Sequence, residues 1–162
     1  MLKIKPRSGE RPVTNPKPPQ LQVTEQSPRE IYDALNAWAF STFNYVREEP
    51  TRISVPTARA LWLDETIDAT PNVFMPPTGS REFAHTHEDG SMHLMVKAAD
   101  ERHVMEAGWG ELHPNHHRGV KEILVYAPRN TDELETIKII VQASYDYVMG
   151  SARQIQLHAT SQ

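Results

Sequence analysis

The segment from Glu82 to Val96 constrains the fold more than any other part of the chain, because it has the pattern of two strands joined by a tight turn. Strands are predicted at residues 81–87 and 91–97. They flank the dipeptide Asp89-Gly90, which is typical of hairpin turns. Strands joined by so short a turn are antiparallel, and the sequence therefore predicts a β-hairpin here.

The length of that turn decides which histidines share a face of the hairpin. In a strand, His85 and His87 point to the same side, about 7 Å apart. A two-residue turn at Asp89 and Gly90 would place His93 on the opposite side, whereas a three-residue turn with Gly90 in the left-handed conformation would pair His93 with His85. We favour the three-residue turn because it leaves a better apolar set facing the core, namely Ala84, Thr86, Met92, Leu94 and Val96. The histidine face would then also carry Arg81, Phe83, Met95 and Lys97.

The rest of the chain predicts helices interspersed with strands. A helix begins near Ser27, where Ser-Pro-Arg-Glu has the form of a capping box, and it ends before Pro50. Further strands are predicted at 52–55, 58–63 and 122–127, and further helices at 100–107 and at 131–149, the latter capped by Asn130. Glycines 108 and 150 stand where these helices would end, and the proline-rich residues 64–80 are predicted to be a loop. This pattern favours an α+β fold with a mostly antiparallel sheet and helices packed mainly on one face.

Residues 1–26 differ in composition from the rest of the chain. They hold five of the 13 prolines and few apolar side chains, so we expect an extended or disordered arm there. Residues 27–162 are expected to form a single α+β domain, because a chain of 162 residues has room for about one domain.

Composition excludes several classes of function. The chain has no cysteine, which rules out disulfides, thiolate metal sites and a cysteine nucleophile. The net charge of −4 argues against a nucleic-acid partner. No stretch approaches the roughly 20 apolar residues that span a bilayer, and the first residues lack the apolar core of a signal peptide. We therefore expect a soluble cytoplasmic protein that binds a small molecule, with no membrane or nucleic-acid partner and with its oligomeric state open.

Three imidazoles on one sheet face can bind a metal, move a proton or simply hydrogen-bond to one another. The spacing of His85, His87 and His93 matches neither a cupin nor an HExxH zinc site. A divalent metal bound by these three residues stays open as an alternative.

A second cluster follows at residues 108–117, where two glycines surround Trp109. One interpretation makes Trp109 an aromatic wall of a pocket, with Glu111 and His113 as a proton-handling pair. The other places Trp109 in the core, with Glu111 and His113 solvated. Arg129, at the end of the strand that contains Tyr126, either reaches the same region or lies on the surface beside a helix.

Three motifs together resemble a known family. They are Glu82-x-Ala84-His85-x-His87 with His93-Leu94, then Gly108-Trp109-Gly110-x-x-His113-Pro114, then Tyr126-Ala127-Pro128-Arg129-Asn130. Their order, followed by a helix with Ala143-Ser144 and Tyr147, is similar to the luciferase domain of fungal bioluminescence and its bacterial and fungal relatives. The resemblance is strongest over residues 81–150 and does not extend to the proline-rich arm.

The resemblance implies an oxygenase chemistry. Fungal luciferase oxygenates 3-hydroxyhispidin, a styryl-pyrone, with molecular oxygen as co-substrate and without a metal or organic cofactor, through an endoperoxide that loses carbon dioxide. By position, His85, His87 and His93 would supply the base and polar stabilisers. His113 and Glu111 would assist proton transfer, and the pocket would be lined by Trp109, Tyr126 and Arg129.

The departures from the family pattern concern light emission and anchoring. Glu111 replaces an amide side chain, Asn115-His116-His117-Arg118 replaces small apolar residues, and no apolar anchor is visible. We therefore predict an oxygen-dependent, cofactor-independent, non-luminous oxygenase of the monooxygenase or dioxygenase type that acts on a small enolic or phenolic compound. The alternatives are a histidine-bound metal enzyme and a non-enzymatic protein that binds a small aromatic ligand.

Overall fold

Six strands form one antiparallel sheet in the order β1-β2-β3-β4-β6-β5. The computed structural model describes residues 1–161. The strands are β1 (Val46–Pro50), β2 (Arg59–Leu63), β3 (Glu82–Thr86), β4 (Met92–Leu94), β5 (Gly110–Leu112) and β6 (Ile123–Val125). The helices are α1 (Arg29–Thr42), α2 (Ala98–Glu106) and α3 (Thr131–Thr160). The predicted α+β class with an antiparallel sheet is confirmed.

The hairpin of β3 and β4 has the predicted three-residue turn. His85 lies opposite His93 in the register, and the backbone N–H of His87 donates to the carbonyl of Ser91, which closes residues 88–90 into the turn. Gly90 has a φ of +94°, and a Cβ added there would lie 2.2 Å from the hydroxyl of Ser27. Both the left-handed backbone and the close approach therefore require glycine at this position.

The side chain of Phe83 does not lie on the histidine face as the alternation of the strand predicted, because it packs in the hydrophobic core. The register between β2 and β3 shifts between Leu61 and Trp62, so that Trp62 pairs with Glu82 and Phe83 is the extra residue of a bulge. The bulge also changes the direction of Glu82, whose carboxylate reaches the ring of His85. An irregularity of this kind leaves no periodic signal in the sequence.

The hydrophobic core lies between the sheet and the helices, on the face opposite the histidines. Helices α1 and α3 pack against each other there, and α3 also contacts β3. Helices thus lie on one face, as predicted. The largest fully buried core side chains include Leu35, Leu61, Leu63, Phe83, Met92, Leu94, Ile123, Ile137 and Ile140.

Two strands were not predicted, and one predicted strand is absent. β1 has the sequence VREEP, whose charged residues hid it, and β5 has only three residues. Residues 52–55 form no strand; their backbone lies beside the carboxylate of Glu82, which accepts from the N–H of Arg52.

Three of the predicted helix ends also differ. Helix α1 ends at Thr42 and not just before Pro50, because the chain continues as strand β1 from Val46. Ser27 does not cap α1, because its hydroxyl donates to the carbonyl of Pro128, which ties the start of the helix to the connection between β6 and α3. Helix α3 continues past Gly150 to Thr160, since nothing breaks its hydrogen bonding there. At its other end, Asn130 accepts from the backbone N–H of Glu133, as predicted.

In the N-terminal segment, residues 1–26, Pro18, Pro19 and Gln20 lie beside the histidines, whereas Leu2 and Ile4 pack against the hydrophobic core. Gln20 and Gln22 are buried, 3% and 2% exposed, and their amides hydrogen-bond to the rest of the domain. This segment thereby covers the histidines on the side away from the core. Within the described residues, no helix has the length and apolar character needed to cross a bilayer.

Candidate functional site

Three histidine side chains meet on the sheet face beneath the N-terminal segment. The ring centroids of His85, His87 and His93 lie 4.8 to 5.2 Å apart, and all three side chains are buried. The three-residue turn makes this possible, because it pairs His93 with His85 across the hairpin, on the face that also carries His87. The structure therefore brings together the three residues that the sequence predicted to share a face.

In each of these three rings, one nitrogen points away from the cluster and contacts a polar group. Nδ1 of His85 lies 2.6 Å from Oε2 of Glu82, Nδ1 of His87 lies 2.9 Å from the hydroxyl of Ser91, and Nε2 of His93 lies 2.8 Å from Oε1 of Gln20. The remaining nitrogens point at one another: Nδ1 of His93 is 3.2 Å from Nε2 of His85 and 3.2 Å from Nε2 of His87.

The surroundings of Glu82 determine the tautomer of His85. The carboxylate accepts from the hydroxyl of Thr51 and from the backbone N–H of Arg52, so both of its oxygens act as acceptors. It therefore accepts from the Nδ1–H of His85 as well. In the neutral ring this leaves Nε2 without a proton, as a bare lone pair.

Gln20 determines the tautomer of His93 in the same way. Its amide NH2 group donates to Oε1 of Glu111 at 2.8 Å and to the carbonyl of Leu112 at 3.1 Å, which fixes its carbonyl oxygen toward His93. That oxygen can only accept, so Nε2 of His93 carries the proton and Nδ1 is bare.

Burial keeps His87 and His93 neutral. It lowers the pKa of His87 to about 3, with a smaller contribution from the nearby ring of His85. It also lowers the pKa of His93 well below 6.5, and the three neighbouring histidines add to this effect. A buried imidazole without a counter-charge loses its proton because the charged form is poorly solvated.

A cavity of about 380 Å³ opens beside the cluster. His85, His93 and His113 form its polar wall, and the other lining residues are Pro18, Pro19, Gln20, Ile53, Ser54, Val55 and Glu122. The ring centroid of His113 lies 5.6 Å from that of His93. Nδ1 of His113 accepts from the backbone N–H of Asn115, so Nε2 carries the proton of the neutral ring. His113 is thus a hydrogen-bond donor at the cavity.

Glu122 contributes a buried carboxyl group to the same cavity wall. The residue is 4% exposed, and its Oε2 has no hydrogen-bond partner among the described residues. Burial raises the pKa of this carboxyl group, while the proximity of His85 lowers it to a smaller extent. A buried carboxyl group in this position favours the protonated, neutral form.

Glu111 does not pair with His113; it lies at the centre of a separate hydrogen-bond network. Its carboxylate accepts from Thr14, Gln20 and Tyr126, and it also pairs with Arg11. Burial raises the pKa of Glu111, but these hydrogen bonds outweigh burial and lower it. In the sheet register Glu111 and His93 both lie opposite Leu124, so that Gln20 spans from one to the other.

The predicted pocket-lining residues lie elsewhere. Trp109 is in the hydrophobic core, and its indole N–H donates to the carbonyl of Lys5 at 2.6 Å. Tyr126 belongs to the Glu111 network, where burial raises its pKa to about 12. Arg129 pairs with Glu133 and Glu25 beside the start of α3. None of the three is among the residues that line the cavity beside the histidines.

Four residues of the site were missed as site residues by sequence reasoning: Glu82, Ser91, Gln20 and Glu122. Glu82 stands in the first motif, but three residues before His85 it should have faced the other side of the strand. The bulge that re-aims it is invisible in the pattern. Gln20 lies 73 residues before His93 in a segment without periodicity, so no local signal could connect the two.

Residues 80–144 match the family model described as the luciferase domain. The chain is 31% identical to the luciferases of Armillaria gallica, over 162 residues, and Armillaria ostoyae, over 163. Each match covers 90% of this chain and 61% of the relative. The luciferase of Neonothopanus nambi is 39% identical over 75 residues, which are 42% of this chain and 28% of that protein. The resemblance predicted from the motifs is confirmed.

The chain thus spans about three fifths of the length of the Armillaria luciferases. The residues matched by the family model include the four histidines of the site, Glu82, Glu111 and Glu122. Gln20 and Ser27, which tie the N-terminal segment to the site, lie before the matched region. No solved structure matches the chain significantly.

Proposed function

We propose that the protein is an oxygen-dependent oxygenase of the luciferase type, because residues 80–144 match the family model of the luciferase domain. Its substrate is a small enolic or phenolic compound, similar to a pyrone, that enters the cavity beside the histidines. The cavity volume of about 380 Å³ suits a molecule of this size. Its walls combine apolar side chains, among them Ile53 and Val55, with a few polar groups.

One observation carries the proposal: His85 lines the cavity, and its Nδ1 is held by Glu82, which leaves Nε2 without a proton. A carboxylate that accepts from Nδ1–H fixes the tautomer and stabilises the charge that forms when Nε2 takes a proton. His85 is therefore suited to remove the acidic hydrogen of an enol.

The proposed reaction balances without an outside reductant. The enol gives its proton to His85, and the electron-rich enolate passes one electron to oxygen. The resulting carbon radical and superoxide combine, which forms a carbon–oxygen bond, and the peroxide takes up the proton. The enol and oxygen together thus give a hydroperoxide. His113, as an N–H donor at the cavity, is placed to stabilise the negative charge on the peroxide.

A panel of hydroxypyrones and phenols tests the proposal. Oxygen uptake and product formation are measured in air and under argon, with light emission recorded at the same time. We expect turnover that requires oxygen, proceeds without light and falls at least 100-fold in His85→Ala, the order of a general base's contribution. The exposed His117→Ala variant is the matched control and should retain full activity.

The alternative of a non-enzymatic ligand-binding protein gives a different result. A compound of the panel would then raise the melting temperature of the protein and yet remain chemically unchanged after long incubation with oxygen. Equal turnover in His85→Ala and the native protein would remove His85 from the mechanism.

A further inference from the structure

The inward nitrogens of the cluster lack the protons that would let them hydrogen-bond to one another. Nε2 of His85 and Nδ1 of His93 lie 3.2 Å apart, and both are bare lone pairs once Glu82 and Gln20 have taken the outer N–H groups. Two acceptors at this distance repel each other unless a cation lies between them. His87 can donate from its Nε2 to Nδ1 of His93, but that hydrogen bond leaves the contact between His93 and His85 without a proton.

A proton on His85 would satisfy one pair of nitrogens, but three nitrogens converge. One ring nitrogen each of His85, His87 and His93 lies within 4.8 Å of the other two, and all three side chains are buried. A single centre that accepts three lone pairs at once satisfies the whole set. We infer that Nε2 of His85, Nε2 of His87 and Nδ1 of His93 bind one divalent transition-metal ion.

The distances and the outer partners agree with such a site. A tetrahedral zinc ion with zinc–nitrogen bonds of about 2.0–2.1 Å holds its ligand nitrogens about 3.3 Å apart, close to the two separations of 3.2 Å. Histidine ligands donate their other N–H to a carboxylate, a carbonyl or a hydroxyl, and here these groups belong to Glu82, Gln20 and Ser91 in turn.

The chemistry of the ligand atoms narrows the choice of ion. Three imidazoles suit zinc, copper, iron or nickel, whereas magnesium and calcium prefer oxygen ligands. Three protein ligands also leave a coordination position for water or a substrate oxygen. The inference does not rest on the proposed function: Nε2 of His85 has one lone pair, which either binds the ion or takes the proton of the enol, and the experiment scores the two separately.

Zinc binding to the metal-free protein tests the inference directly. The protein is prepared without a histidine tag, stripped with a chelator and titrated with zinc chloride against a chromophoric competitor at pH 7.5. We expect one zinc per chain with a dissociation constant of micromolar or below, and a higher melting temperature with zinc. His93→Ala should lose this binding, and the exposed His117→Ala should keep it.

A second variant tests the inference even if His93→Ala does not fold. Glu82→Gln leaves all three ligands in place and should weaken zinc binding about 10- to 100-fold, as loss of an outer partner does at other histidine sites. No zinc binding at 100 µM, or equal binding in His93→Ala and the native protein, would overturn the inference.

Turnover is scored separately from binding. If the stripped protein, with no zinc bound, still oxidises a compound of the panel in air, the proposed oxygenase function stands whatever the result of the titration. If zinc binds in one equivalent and no compound is oxidised, the metal site stands and the proposed function fails.

Discussion

Oε2 of Glu82 lies 2.6 Å from Nδ1 of His85, although regular alternation along a strand would place these two residues on opposite faces. The contact exists because the bulge at Phe83 adds one residue to β3 between them. Bulges often re-aim a side chain next to a functional site, and this one supplies the histidine cluster with a buried carboxylate. The position of that single carboxylate selects the tautomer of His85 and, through it, the chemistry available at the cavity.

Replacing Glu82 should therefore affect stability as well as chemistry. Glu82→Ala removes an acceptor shared by the buried ring of His85 and by two partly buried donors, the hydroxyl of Thr51 and the backbone N–H of Arg52. We expect the free energy of unfolding to fall by about 2–4 kcal/mol, measured by urea denaturation at pH 7. Glu135→Ala, at an exposed glutamate of α3, should change it by less than about 0.5 kcal/mol. A loss of similar size in both variants would contradict this account of Glu82.

The N-terminal segment should matter for the site through Gln20. Gln20→Ala removes the group that joins His93 to Glu111 and frees the tautomer of His93. We expect a loss of about 1–3 kcal/mol in the free energy of unfolding, because a buried N–H and a carboxylate lose their partner. Any turnover found with the hydroxypyrone panel should fall as well.

Gln142→Ala serves as the control for Gln20, because Gln142 is an exposed glutamine on α3 whose amide contacts only Asp146 among the described residues. It should behave as the native protein in both measurements. Native stability and turnover in Gln20→Ala would show that the segment covers the site without shaping it.

Sequence and structure agree where the pattern is local and differ where it is not. The three-residue turn could be predicted, because Gly90 and the apolar side chains of the hairpin choose between two registers. Strand β5 and the bulge at Phe83 could not, because one has only three residues and the other breaks the alternation on which a strand prediction depends. Gln20 and Glu122 reach the histidines only through the tertiary fold, so no spacing in the sequence connects them to the site.

The carboxyl group of Glu122 should lower the free energy of unfolding of the metal-free protein at neutral pH. Burial raises its pKa above 4.5, so the folded protein keeps this proton over a pH range in which the unfolded chain has lost it. Stability therefore falls as the pH rises through 4.5 and levels off above the pKa of the folded state. Glu122→Gln cannot ionise and should raise the melting temperature at pH 7 by a few degrees, on the order of 1 kcal/mol.

The pH dependence distinguishes an effect of the charge of Glu122 from an effect of the substitution that does not depend on charge. Below about pH 4.5 both carboxyl groups, folded and unfolded, are protonated, and the advantage of Glu122→Gln should disappear. Calorimetry at pH 7 and pH 4 measures both values. A gain that persists unchanged at pH 4 would mean that the charge of Glu122 is not its cause.

The histidine cluster should make the metal-free protein sensitive to mild acid. Burial lowers the pKa of His87 to about 3, whereas the unfolded chain takes up this proton near 6.5. Between these values the unfolded state binds more protons than the folded one, so stability is unaffected above about pH 6.5 and falls as the pH drops toward 3. A single group contributes at most about 1.4 kcal/mol for each pH unit in this window. His87→Gln, which cannot take up the proton, should lose less stability than the native protein between pH 7 and pH 5 in urea denaturation, whereas the exposed His117→Gln should follow the native curve. Parallel curves for His87→Gln and the native protein would mean that another group causes the acid sensitivity.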